Sequence, residues 1–150
     1  MPMAVNSVRE RILLAVMAAV RAPVQACGAT LHRTPAVAIA REQCPALVVA
    51  PESDAIASRA NDRVTRELTV RMTALARAVP PTVPETAADA LLTAAHAALM
   101  ADVNLGGLAL GIHELDCEWD VEDADAAAAA IPARYRITYR TLAADLAAVA

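Results

Sequence analysis

The sequence predicts an α+β fold: a mixed, mostly antiparallel β-sheet with two helices packed on one face, in the order α-β-β-β-α-β-β. Three observations carry that expectation. Apolar residues recur at helical spacing in two stretches, 8–20 and 91–100. Two other stretches, 63–76 and 134–141, alternate with period two. Proline and glycine clusters at 80–84 and 106–107 punctuate the chain between them. With 150 residues the chain reads as a single domain, 1–150, large enough for a real core.

Ser7-Val8-Arg9-Glu10 has the Ser-x-x-Glu pattern of a capping box, with Ser7 satisfying an open helix N–H and Glu10 reaching back. Val8, Ile12, Val16 and Val20, flanked by Leu13 and Met17, then give a wide apolar face, and Pro23 and Gly28 bracket the end of the helix. Arg9 falls within that face and fits where the first turn overhangs the core. Thr30 to Arg33 reads as a short strand. Ala46 to Ala50, closed by Pro51, reads as a strand buried on both faces. Residues 51–62 are polar apart from Ile56 and read as a loop.

From Arg63 to about Ala76 a long strand places Val64, Leu68, Val70, Met72 and Ala74 on one face and Glu67, Thr69, Arg71 and Thr73 on the other. Arg66 is the misfit on the apolar side. Pro80, Pro81 and Pro84 force an extended crossover to a second helix with Leu91, Leu92, Ala95, Leu99 and Met100 as its stripe, terminated by Gly106-Gly107. The closing residues Leu142 to Ala150 read as an Ala-rich tail, helical or frayed.

The last two strands carry opposite charges. Glu114, Asp116, Glu118, Asp120 and Glu122 alternate with Leu115, Cys117, Trp119 and Val121. After a connector containing Ala126 to Ala130, Arg134, Arg136 and Arg140 alternate with Tyr135, Ile137 and Tyr139. Paired as an antiparallel hairpin with the apolar sets together, the acidic row would face the Arg row, each pair adding roughly 0.2–1 kcal/mol. This is a scaffold for binding. The eight charged residues are the candidate subunit or partner interface, and the alternative is plain solvated pairing, in which each exposed pair contributes about 0–1 kcal/mol. Trp119 is expected on the inner face beside Ile137.

Other chemistry finds little support. The net charge is −4, and none of the thirteen basic residues is Lys, with no basic stripe interleaved with aromatics, which disfavours a general nucleic-acid binder. Cys27, Cys44 and Cys117 are widely spaced, without a CxxC, and suit reduced, mostly buried thiols. Residues 9–27 loosely imitate a lipoprotein signal, but Glu10, Arg21 and Pro23 break the pattern and the apolar run is short of the roughly 20 residues that span a membrane. The carboxylates of 114–122 lie at about 6.8 Å intervals along a strand instead of converging as Ca²⁺ or Mg²⁺ ligands do. His32, His96 and His113 lack metal spacing, and there is neither a phosphate-cradling glycine loop nor a nucleophile elbow. The expectation is a protein with no catalytic residue, no cofactor and no metal.

Five segments together resemble a known family. They are Val8-Arg9-Glu10-Arg11-Ile12-Leu13, Cys44-Pro45-Ala46-Leu47-Val48-Val49 leading to a proline, Asp89-Ala90-Leu91-Leu92, Leu105-Gly106-Gly107-Leu108-Ala109, and Glu118-Trp119-Asp120 before Tyr139-Arg140-Thr141. In their order and spacing the chain resembles the tail terminator proteins of long-tailed bacteriophages, the minor tail protein U type. The resemblance implies a small structural subunit that forms a hexameric ring on the last ring of tail tube protein, stops its polymerisation and presents a surface to the head connector. DNA would pass through without specific binding, no membrane is involved, and the protein would be made in the host cytoplasm and reside in the virion at the head-proximal end of the tail. The Ala126 to Ala130 connector and the scarcity of aromatics depart from the family's pattern. Another neck component, such as a head-closure or connector subunit, and an unrelated acidic α+β binding module or small hydrolase are the competing readings.

Overall fold

The computed structural model describes residues 4–35, 37–77, 81, 83–119 and 128–150. Its first element, α1 (Val8–Ala26), starts where the cap motif places it: the Glu10 N–H donates to Ser7 Oγ at 3.1 Å. The other half of the capping box does not form. The Glu10 carboxylate turns away to take both Nη groups of Arg33 at 2.7 and 2.6 Å, a bidentate bond stronger than a return to the cap. Pro23 lies within the last turns and does not end the helix. The end comes at Gly28, whose φ of 69° lets the Gly28 N–H reach Gln25 O and the Ala29 N–H reach Val24 O, a Schellman closure sealed by buried Val24 and Ala29.

Six strands form one sheet: β1 (Thr30–Arg33), β2 (Ala46–Ala60), β3 (Arg63–Arg77), β4 (Gly111–Cys117), β5 (Ala128–Leu142) and β6 (Asp145–Val149). Their order is β1-β2-β3-β5-β4, with β6 also on β5; β1 runs parallel to β2 and every other pair is antiparallel. The α+β class and the order α-β-β-β-α-β-β hold, with β6 as an additional strand where the sequence suggested a helical or frayed tail. Residues 51–60 are likewise strand, not loop. They continue β2 past Pro51, with irregularities between Pro51 and Ser53 and between Ile56 and Ser58, and turn through Asn61 and Asp62 into β3. Pro51 is tolerated because β1 pairs only with Ala46 to Val49, leaving this half of β2 as a sheet edge.

The centre of the sheet is the β3–β5 pair, in register from Arg63↔Leu142 to Arg77↔Ala128. Its inner face buries Leu68, Val70, Met72 and Ala74 with Ile131, Ala133, Tyr135, Ile137 and Tyr139. The helix α2 (Pro84–Met100) covers this face alongside α1, through Ala88, Leu91, Ala95 and Leu99. His96 Nδ1 and the Tyr135 hydroxyl lie 2.7 Å apart, tying α2 to β5. Arg66 is accommodated at the far end of the apolar face, where its Nε donates to the buried Thr141 hydroxyl at 3.1 Å. Nearby, the Asp54 carboxylate accepts from the Tyr139 hydroxyl and from Arg9, which does overhang the core edge.

Three further expectations are corrected. Gly106 and Gly107 belong to a 3₁₀ turn (Leu105–Gly107) after α2 has ended, held by Asp102, whose carboxylate takes the Gly106 N–H at 2.9 Å. Ala128 to Ala130 are the start of β5, with Ala129 packed against the core, and Ala126 and Ala127 lie outside the described residues. Trp119 follows the end of β4 and is 55% exposed, so it is not an inner-face residue. Accordingly, Ile137→Ala should cost about 2–5 kcal/mol in chemical denaturation, whereas Trp119→Ala should change stability by about 0.5 kcal/mol or less.

Candidate interaction surface on the outer sheet face

Both helices pack against the inner face, and among the described residues the outer face carries no second layer. The period-two geometry of the β3–β5 pair therefore puts Thr65, Glu67, Thr69, Arg71 and Thr73 beside Arg134, Arg136, Thr138 and Arg140 on an open surface. Within it, Arg71 and Arg134 are direct cross-strand partners, an arrangement that repels on its own. Glu52, at the first irregularity of β2, places its carboxylate against both guanidinium groups, pairing with Arg71 and with Arg134 Nη1 at 3.1 Å. Asp116 completes the set by accepting from Arg134 Nε at 2.8 Å and Nη2 at 2.9 Å. The guanidinium of Arg134 holds the Asp116 carboxyl below the usual carboxylate range, and the Arg134 pKa is raised in turn, first by its hydrogen bond to Asp116.

Among the described residues the rest of the expected charge ladder does not close. Glu114 pairs with Tyr135, on the inner parity, because an irregularity at Leu115 separates it from the Asp116↔Arg134 pair. Glu118 is exposed beyond the strand end, and Asp120 and Glu122 lie outside the described residues. Arg136 has His113 on one side and Thr69 on the other, its nearest carboxylate being Glu67 at 4.0 Å. Arg140 lies past the end of β4 and donates from Nε to Thr65 Oγ1 at 3.3 Å. Of the described acids of this segment, only Asp116 meets the Arg row. The partner that sequence reasoning missed is Glu52, hidden because its segment carried no strand signal.

The surface dips into a concavity of about 690 Å³ whose walls include Leu75, Asp116, Trp119, Pro132 and Arg134. A smaller hollow of about 370 Å³ lies between α1 and β2, bounded by Leu13, Arg33, Asp54 and Leu68. Neither contains an assembled nucleophile, base and orienting group. Among the described residues no three His, Cys, Asp or Glu side chains converge as metal ligands, and no helix is long and apolar enough to cross a membrane. Burial, followed by the negative charges of Asp116 and Glu114, raises the Cys117 pKa, which opposes thiolate chemistry there. Desolvation likewise pushes Tyr135 up to about 12.

No protein-family model matches the chain, and no curated protein does. Among solved structures, a chain from the virion of a native gene transfer agent particle superimposes with a TM-score of 0.57. The two chains share a fold. The likeness covers 84% of this chain and 92% of the other at 16% sequence identity, so it extends over most of the chain and not over one supersecondary unit.

The acidic side of the stability profile should report the Asp116–Arg134 pair. Because the folded pKa of Asp116 is lowered, its contribution is fully present above the unfolded value near 3.8 and is lost as pH falls through the folded value. Asp116→Asn should therefore lower the denaturation midpoint at pH 7, with the difference from the parent vanishing in acid. A difference that stayed constant down to low pH would assign the loss to packing and not to charge.

Proposed function

We propose that the protein is a structural subunit of a phage virion, and within that class a tail terminator. The observation that carries the reading is the fold likeness, over 84% of the chain, to a chain of a gene transfer agent virion. The resemblance of the five sequence segments to tail terminators supports the narrower assignment, as does the long outer face in which Arg71, Arg134, Asp116 and Glu52 present both signs of charge for contact between subunits. In this reading copies of the chain form a ring of six on the end of the tail tube, stop its growth and offer the head connector a surface. The net charge of −4 lets DNA pass without being held, since tight binding would need a row of cations facing the phosphates. The subunit performs no catalysis and needs no cofactor; its chemistry is complementarity of shape and charge.

Disruption of the gene tests the assignment directly. Electron micrographs of the resulting particles should show tails of uncontrolled length or tails without heads. Tails of normal length joined to heads would contradict it.

A further inference from the structure

The two lateral edges of the sheet carry exposed apolar and oppositely charged side chains near the same end of the strands. On one side, β2 from Pro51 to Ala60 has no strand beyond it; on the other, β5 is flanked by the start of β4 and by β6, beyond which no further strand lies among the described residues, although Arg11 of α1 donates to Ala147 O on β6. Reading across the sheet, one row runs Ile56↔Arg66↔Tyr139. On the far side of Tyr139, Leu110 donates its N–H to Thr138 O and Ala150 donates to Arg140 O, so that row ends between Leu110 and Ala150. The next row runs Arg59↔Val64↔Thr141↔Val149, and the one beyond it Ala60↔Arg63↔Leu142↔Asp145.

The first row is apolar at both ends, and beyond it Arg59 at one edge and Asp145 at the other stand one row apart. Ile56 is 45% exposed at one edge, while Leu110 and Val149 are 51% and 47% exposed at the other. Arg59 and Arg63 have no ion pair among the described residues, and neither has Asp145, whose carboxylate receives only the Ala147 N–H. The strand directions also agree. β2 runs the same way as β5, and β6 runs opposite to β5, so β2 of one copy beside β6 of the next would be antiparallel. Pro51 and the two irregularities of β2 blunt this edge against indiscriminate strand addition, leaving side chains to select the partner.

We propose that the distal edge of β2 docks a second copy of this chain along its β6 and the start of its β4, with Ile56 against Leu110 and Val149 and with Arg59 reaching Asp145 in the adjacent row. The contact joins two different surfaces and is therefore head to tail, the kind that generates a ring when its rotation closes. It deepens the ring reading above by naming the surfaces between neighbours.

Cysteine cross-linking tests it on the full chain, with Cys27, Cys44 and Cys117 replaced by serine. Ile56→Cys combined with Leu110→Cys should give a ladder of oxidised multimers, whereas either cysteine alone should not, because a head-to-tail contact brings unlike positions together. In sedimentation, Asp145→Arg should weaken association about tenfold or more through like-charge juxtaposition, and adding Arg59→Asp should recover most of the loss. Copies that associate without the ladder and without response to the charge reversals are joined elsewhere, which overturns the proposal and leaves the ring intact. A parent that stays monomeric and yields no ladder up to its solubility limit also overturns it, while the tail-length phenotype judges the tail-terminator assignment separately.

Discussion

Everything in this protein hangs on the pairing of β3 with β5, fifteen residues on each strand without a break in register. A strand of that length sorts its side chains absolutely: alternate residues must all go in or all go out, and a slip of one position would exchange the two sets. Leu68, Val70, Met72, Tyr135, Ile137 and Tyr139 are placed under the helices by this rule. The same rule makes Arg71 and Arg134 direct neighbours on the outside, and so creates the repulsion that Glu52 and Asp116 relieve. Core and surface are two consequences of one register.

That dependence explains which features could be read in advance. Alternation in 63–76 and 134–141 was strong because each strand has one buried and one open face, and α1 announced itself through Ser7 and the Val8, Ile12, Val16, Val20 stripe. The distal half of β2 gave no such signal. It is an edge strand, mostly exposed except at Asp54, paired with β3 through its backbone and with Ile56 as its one bulky apolar residue, and Pro51 imitated a strand end. β6 was hidden for a similar reason. The acidic segment misled in the opposite direction, since its perfect alternation suggested a strand through Glu122, whereas an irregularity at Leu115 shifts Glu114 off the Arg row and β4 stops at Cys117. Among the described acids of that segment, only Asp116 lies against the Arg row as the alternation suggested.

The unsuspected length of β2 changes the functional picture as well as the topology. It supplies Glu52 to the outer charge cluster, Asp54 to the contact with Arg9 and Tyr139, and an edge ending in Ile56 and Arg59. In the proposed ring, this edge and the uncovered charged face are the surfaces through which one subunit would meet its neighbour. A chain of the gene transfer agent virion shares this sheet-and-helix fold.

Native-state amide hydrogen exchange, followed residue by residue in the dispersed and the assembled protein, tests this account most directly. The slowest amides should fall in β3 from Val64 to Ala76 and in β5 from Ile131 to Thr141, with protection extending into residues 53–60 of β2, and the outward-facing amides of that edge should slow further on assembly. Rapid, uniform exchange through residues 51–70, unchanged by assembly, would contradict both the continuous ladder and the edge that it presents.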